Sequence, residues 1–390
     1  MEPSARVGLG STRVRVTRLG LGTVPLGGLY QPIDDHDALA LLQRSFELGI
    51  RLVDTAPQYG SGLAERRLSQ VLPGWPREAL VVATKVGRLV RPTSTPAKVF
   101  RVLGETVASR DPSRLIRASK HVFHRLRGYR EHRASPTTGS GGGDQRLGSV
   151  FDFSYDGAMR SLEESLARLR LDRVDVLYIH DPDYHFRQAM SGAYRALERL
   201  RADGTVGAIG VGMNQTPMLA RFAREAQFDC FLVAGRYTLL DQTAADELLP
   251  ICAEKGIGVV VGGVYNSGIL ADPRPGAHFN YEPATQPWLE KALRIKAVCD
   301  RYDVPVKAAA IQFPLGHPAV ASVLAGARSV QETEDNAAMM RYPIPADLWE
   351  ELRHEGLIAP TIPTPATPAA SQTTDAVAAG GSAASSPQGA

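Results

Sequence analysis

Residues 51–60 read Arg51-Leu52-Val53-Asp54-Thr55-Ala56-Pro57-Gln58-Tyr59-Gly60. Leu52 and Val53 form the end of a short buried strand. Asp54 stops it, and Pro57 and Gly60 force a turn. Tyr59 follows the acid by five positions, on the loop leaving the strand. Two later stretches repeat the pattern. Val81-Val82-Ala83-Thr84 ends in Lys85, and Val174-Asp175-Val176-Leu177-Tyr178-Ile179 ends in His180. Three strands therefore each carry an ionisable group at the carboxyl end. In a parallel barrel those ends share one rim, where active sites are built.

The four groups suit one chemical task. A phenol has a reference pKa of about 10. A nearby ammonium favours its phenolate, and a carboxylate holds that ammonium in place. An imidazole orients a carbonyl or alcohol. This set moves a proton to or from a substrate oxygen while a hydride moves at carbon. No side chain supplies hydride, so a nicotinamide cofactor, NAD or NADP, is required. One Asp ending a strand is usually a turn residue, and one buried Lys usually a structural ion pair. Four such groups, at three strand ends, outweigh those plainer readings.

At these residues the chain resembles the aldo-keto reductases: Asp-Thr-Ala-x-x-Tyr-Gly at 54–60, Thr-Lys at 84–85 and Ile-His at 179–180. The resemblance covers most of residues 13–340. It implies that Tyr59 is the general acid/base, that Lys85 and Asp54 tune it, and that His180 orients substrate.

Composition sets the outer bounds. The 390 residues are 44% hydrophobic, ample for a large core, and the net charge of +3 is too mild to argue for nucleic acid or membrane. Cys230, Cys252 and Cys299 are far apart and form no Cys-x-x-Cys. Buried reduced thiols in a cytoplasmic protein are the plain reading. Met1 to Gly10 has no apolar core for a signal peptide, and no stretch approaches the roughly 20 apolar residues of a membrane span.

The rest of the chain fills out an α/β fold, a (β/α)8 or TIM barrel. Residues 6–18 alternate around Gly10-Ser11-Thr12, an N-terminal β-hairpin placed to plug the barrel bottom. Leu19-Gly20-Leu21-Gly22 is the first barrel strand, with Thr23 at its end. Pro25 stands where a dinucleotide fingerprint needs its third glycine, so that motif fails. Helices follow at 35–48, 65–72, 155–170 and 187–201. Further strands follow at 206–211, 230–234, 257–261 and 320–324. Asp181, Asp183 and His185 suggest a metal site, but Pro182 breaks their spacing and no early strand carries His-x-His, so no metal is assigned.

The single barrel domain spans residues 1–356. Within it, residues 88–150 form a long insertion after strand three, without a clear strand. Residues 95–149 hold eleven Lys/Arg against four Asp/Glu, leaving the remainder of the chain at −4. Leu115, Val122, Leu126 and Tyr129 follow helical spacing, and Ser135 to Gly143 is Pro/Ser/Thr/Gly-rich. A basic lid over substrate or cofactor phosphate and a solvated, partly flexible insertion both fit. Residues 357–390 are expected as a disordered Ala/Pro/Ser/Thr-rich tail.

Gly326-Ala327-Arg328-Ser329 joins strand eight to a helix N-terminus, which offers N–H groups and positive potential to a phosphate. The resemblance implies that Gly326, Arg328, Ser329, Glu332 and Asn336 hold the adenosine half of the dinucleotide. It brings Val264, Asn266 and Gly268 to the pyrophosphate, and Thr23, Asp54 and Asn214 to the remaining cofactor contacts. Two positions depart from the family. Gly262 stands where many relatives stack an aromatic ring on nicotinamide. Ala234-Gly235-Arg236 replaces a carboxamide-binding glutamine. Tyr237, Asn214 and Tyr265 are the candidate substitutes. Arg328 suits a 2′-phosphate, whereas Glu332 repels it or binds a ribose hydroxyl, so NAD and NADP both stay open.

Local text narrows the resemblance to D-threo-aldose 1-dehydrogenases, with L-fucose and L-galactose dehydrogenases, and pyridoxal 4-dehydrogenase nearby. It rests on residues 54–62, His-Asp-Pro-Asp at 180–183, Gly-Val-Gly-Met-Asn-Gln at 210–215 and Gly-Arg-Tyr-Thr-Leu-Leu-Asp-Gln at 235–242. It implies oxidation of a sugar hemiacetal (L-fucose, L-galactose or D-arabinose) at C1 to the lactone, by a monomer or homodimer. The alternatives are a pyridoxal 4-dehydrogenase, a general aldehyde or ketone reductase, a non-catalytic NADP(H)-binding regulatory subunit and, last, a Schiff-base aldolase through Lys85.

Overall fold

The computed structural model describes residues 1–29, 31–92 and 147–365. Eight parallel strands close into a barrel. They are β1 (Leu19–Gly22), β2 (Leu52–Asp54), β3 (Val81–Val86), β4 (Val174–His180), β5 (Val206–Met213), β6 (Cys230–Ala234), β7 (Gly258–Gly262) and β8 (Val320–Gly326). Strand β8 pairs back onto β1 and closes the ring. The connecting helices are α1 (Asp35–Glu47), α2 (Leu63–Val71), α3 (Tyr155–Leu169), α4 (Tyr194–Ala202), α5 (Thr216–Glu225), α6 (Leu248–Lys255), α7 (Gln286–Arg301), α8 (Val306–Gln312) and α9 (Val330–Arg341). A tenth, α10 (Ala346–His354), follows and was not expected from the sequence.

The two-residue period of a strand decides what lines the barrel. Leu52 on β2, Val81 and Ala83 on β3, and Val176 and Tyr178 on β4 share one apolar cluster inside the ring. Their neighbours Val53, Val82, Leu177 and Ile179 belong to the second cluster, between sheet and helices. Continuing the inward series by one step on each strand reaches Asp54, Lys85 and His180. The alternation that fills the barrel thus sets three polar groups on its upper layer.

The lower end is closed by the expected hairpin. Arg6–Gly8 pairs antiparallel with Arg15–Thr17. Leu9 and Val16 are fully buried in the same cluster as the inward-facing strand residues. The Ser11 N–H donates to Gly256 O at 3.0 Å, just ahead of β7.

Helix starts follow their caps. Asp34 accepts from the Asp37 N–H at 2.8 Å, and Ala38, Leu41, Leu42, Ser45 and Phe46 form the buried face of α1. Ser154 caps α3 by accepting from the Gly157 N–H at 3.0 Å.

Two expectations are corrected. The stretch 88–150 does contain strands: Arg88–Pro92 pairs antiparallel with Leu147–Phe151, Arg88 facing Phe151. The whole insertion separates these partners, so no local turn signal announced the hairpin. The packed chain also does not stop at 356. Leu357, Ile358 and Ile362 are buried, and Gln242 donates to Leu357 O at 2.9 Å. An adjacent pair and one further aliphatic in a Pro/Thr-rich run give no periodicity to read. The expected insertion helix around Leu115, the Ser135–Gly143 run, the basic lid and the tail from 366 lie outside the described residues. Cys230, Cys252 and Cys299 are buried free thiols. No described helix is long and apolar enough to cross a membrane.

Candidate active site

Lys85 is the centre of the upper layer. Its Nζ donates to Asp54 Oδ1 at 2.5 Å and to Thr55 O at 2.9 Å. The same Nζ lies 4.8 Å from the centroid of the Tyr59 ring. His180 stands edge-on to that ring, with centroids 6.0 Å apart and planes at 88°. The four groups singled out in the sequence therefore meet around one small space.

The turn carrying Tyr59 is held by close backbone packing. The Tyr59 N–H donates to Ala56 O at 3.1 Å, and Tyr59 O accepts from the Ala64 N–H at the start of α2. Gly60 has φ +60°, and a Cβ there would meet Gly27 O at 2.6 Å. Only glycine permits both the conformation and the approach.

Burial dominates the electrostatics. The Asp54 carboxyl is pushed up by desolvation, which the Lys85 ammonium only partly offsets. The Tyr59 phenol lies well above its ordinary value, through desolvation first and then the Asp54 and Asp181 carboxylates, with Arg88 opposing. The sequence reading expected the neighbouring ammonium to lower it; here loss of water raises it, and the opposing charge is Arg88. His180 is held well below its usual value by burial and by Arg88 and Lys85. It is thus a neutral imidazole near pH 7, and its buried Nδ1 has no hydrogen-bond partner.

Sequence reasoning missed a second layer. Arg88 donates through Nη2 to Asp181 Oδ2 at 2.6 Å and through Nη1 to Gln58 Oε1. Its guanidinium lies over the Phe151 ring, 4.8 Å from the centroid. Asp181 Oδ2 is 3.7 Å from His180 Nε2. The available signal was adjacency: Gln58 precedes Tyr59, Asp181 follows His180, and Arg88 lies three positions after Lys85.

The expected cofactor residues divide into two groups. Around β8 and α9 they are knitted together. Ser329 caps α9 by accepting from the Glu332 N–H at 3.1 Å. Glu332 accepts from the Arg328 backbone N–H at 2.8 Å and from Arg328 Nη2 at 2.9 Å. Asn336 donates to Gly326 O at 3.3 Å and accepts from Tyr265 OH at 2.9 Å, tying the β7 loop to α9. The others are spread along the rim. Thr23 is buried and donates to Asp54 O at 2.9 Å. Asn214 donates to Ala234 O at 2.8 Å. Asn266 donates to Gly235 O at 3.1 Å, and Val264 is buried beside it.

Tyr237, a candidate substitute for the missing stacking ring, is fully buried against Phe313 and His317. It belongs to the core, so it is withdrawn from the cofactor candidates. Asp34, His36 and Asp37 bring three donor groups within 4.8 Å of one another, all exposed at the start of α1. Asp34 there already caps the helix.

The aldo/keto reductase family model matches residues 18–354. The chain belongs to the aldo/keto reductase family. A pyridoxal 4-dehydrogenase from Microbacterium luteolum is 39% identical over 370 residues, 92% of this chain and 99% of the relative. A D-threo-aldose 1-dehydrogenase from a Pseudomonas species is 40% identical over 369 residues, 93% and 99% respectively. Among solved structures, a glycerol dehydrogenase from Gluconobacter oxydans superposes with a TM-score of 0.65 at 20% identity, covering 94% of this chain and 98% of that one. At that identity the match speaks for the fold alone.

In this aldo/keto reductase the rim is suited to a dinucleotide. Helix α9 begins with a capped first turn at the end of β8, where free N–H groups and the helix dipole favour a phosphate. Gly268 has φ +104°, and a Cβ there would meet nothing within 4 Å, so its backbone is open to close approach. The buried Asn266 Oδ1 lacks a partner and is available as an acceptor.

Proposed function

We propose that this aldo/keto reductase oxidises a cyclic hemiacetal to a lactone with NAD or NADP. The substrate would be an aldose such as L-fucose, L-galactose or D-arabinose, attacked at C1. The convergence of Tyr59, Lys85, Asp54 and His180 carries this reading. The 40% identity to a D-threo-aldose 1-dehydrogenase supports the substrate class.

Tyr59 takes the proton of the anomeric hydroxyl. Burial holds the phenol protonated at rest, the form that serves as the acid in the reducing direction, so in oxidation Tyr59 gives its own proton to solvent before it takes that of the hydroxyl. Lys85 places a positive charge against the ring face, where it favours the phenolate as it forms. Asp54 and the Thr55 carbonyl fix that ammonium, leaving it no freedom to drift from the ring. Neutral His180 holds the reacting oxygen by one hydrogen bond without adding a charge. When bound, the dinucleotide supplies the hydride acceptor. Gly326, Arg328, Ser329, Glu332 and Asn336 would hold its adenosine half. Val264, Asn266 and Gly268 would lie along the pyrophosphate, with Thr23, Asp54 and Asn214 towards the nicotinamide.

A second reading has its own support in the 39% identity to a pyridoxal 4-dehydrogenase. Pyridoxal closes on itself to an internal hemiacetal, so the same base and the same kind of hydroxyl would serve. A panel of L-fucose, L-galactose, D-arabinose and pyridoxal, each with NAD and NADP, separates the two. Steady nucleotide reduction with an aldose supports the first reading, and with pyridoxal alone the second. Nucleotide binding without turnover on every member contradicts both and points to a regulatory subunit.

A further inference from the structure

Arg88 on the hairpin and Asp181 and Gln58 on two separate loops join at the rim beside the four groups above. Arg88 bridges the other two, and its side chain is 13% exposed against 26% for Asp181. The pair is therefore neither a solvated surface bridge nor a core pair. Asp181 has a backbone φ of +45°, uncommon for a non-glycine residue although Asp tolerates it better than most. Its N–H donates to Gly212 O at 3.0 Å on β5, which fixes that turn. Arg88 in turn is fixed by its place on the hairpin opposite Phe151, whose ring supports the guanidinium. The buried Nε of Arg88 has no partner, so a donor remains unused.

We propose that Arg88 and Asp181 are the specificity-determining pair of this site, selecting a polyhydroxylated ring over a plain carbonyl compound. The inference rests on the aldose reading and names what in the site reads the sugar. A vicinal diol presents two hydroxyls, each able to donate and accept. A guanidinium beside a carboxylate answers it with fixed donors and fixed acceptors. The pair also sits beside the imidazole assigned to hold the reacting oxygen. Asp181 Oδ2 is 3.7 Å from His180 Nε2, so a hydroxyl next to the reacting oxygen falls against the carboxylate. A hydroxyl-poor carbonyl would cover these groups without answering their hydrogen bonds, and a site built to bind hydroxyls discriminates strongly against such analogues. Asp181 raises the Tyr59 phenol while Arg88 lowers it, so the two charges act on it in opposite directions.

For that reason the test removes both charges together. The full chain and its R88Q/D181N variant are assayed with L-fucose and with 4-nitrobenzaldehyde, each in its own direction and with the same nucleotide pair. We expect kcat/KM for L-fucose to fall at least about tenfold further than for the aldehyde, with KM carrying most of the difference. Asp181→Asn alone, nearly isosteric, guards against misfolding of the double variant: its KM should rise more for L-fucose than for the aldehyde, a readout that a shifted Tyr59 phenol does not move. Equal losses on both substrates would make the pair a mere support of Tyr59 and His180 and overturn the inference. Unchanged kcat/KM for L-fucose would overturn it as well. If the wild-type chain turns over the aldehyde but no sugar, the aldose reading itself fails, and this inference with it.

Discussion

Lys85 Nζ and Asp54 Oδ1 are 2.5 Å apart, with side chains only 2% and 4% exposed. Neither charge has water to fall back on. Removing one partner strands the other, which costs about 3–5 kcal/mol, whereas replacing both by apolar groups costs far less. Asp54→Ala should therefore lose about that much stability in urea unfolding. Asp54→Leu combined with Lys85→Met should be more stable than Asp54→Ala. A double variant less stable than the single one would show that the pair stabilises the fold beyond its own desolvation.

His180 gives the protein a pH dependence of known sign. Its folded pKa lies below the ordinary value, so the native state keeps it neutral while the unfolded chain takes up a proton. The contribution is complete above the unfolded pKa of about 6.5 and is lost as pH falls below it, by up to about 1.4 kcal/mol per pH unit. Urea midpoints measured from pH 7.5 to 5 should decline more steeply for wild type than for His180→Gln. Parallel slopes would mean that His180 protonates as readily in the folded state.

Gly60 tests how Tyr59 is placed. Its positive φ and its approach to Gly27 O leave no room for a methyl group. Gly60→Ala should cost at least about 1 kcal/mol in stability. It should also lower kcat, because the next residue back carries the phenol. Thermal unfolding and initial rates check both; unchanged kcat in a destabilised variant would detach the turn from the chemistry.

Coenzyme choice turns on Glu332, which engages the Arg328 guanidinium and its backbone N–H at once. A 2′-phosphate would have to compete with that carboxylate. Glu332→Gln frees the guanidinium and removes the repulsion, so the ratio of NADP to NAD affinity should rise about tenfold. A ratio unchanged on titration of both nucleotides would move the ribose contact elsewhere.

What the sequence made legible followed from short-range rules. The carboxyl ends of three strands place Asp54, Lys85 and His180 on one rim of the barrel from the sequence alone. The helix expected at 35–48 is α1, Asp35–Glu47, nearly to the residue. Apart from the local helix α10, the misses are long-range. Arg88 pairs with Asp181, 93 positions away, and the hairpin that carries Arg88 spans the insertion. Leu357 and Ile358 pack although their neighbours give no pattern. Tyr237 reads as a rim residue in sequence but turns into the core against Phe313. The direction of the Tyr59 shift was also beyond the sequence, because desolvation depends on everything packed around the ring.

The most direct test concerns the phenol itself. Tyr59→Phe removes the oxygen that moves the proton and little else. Initial rates of nucleotide reduction with L-fucose should fall at least about 100-fold, the usual scale for losing a general acid/base. Nucleotide affinity, followed by quenching of protein fluorescence, should stay within about threefold of wild type if the phenol contributes no more than one weak contact to the nucleotide. A variant that binds nucleotide normally and still turns over at more than half the wild-type rate would contradict the role of Tyr59 on which the proposed reaction depends.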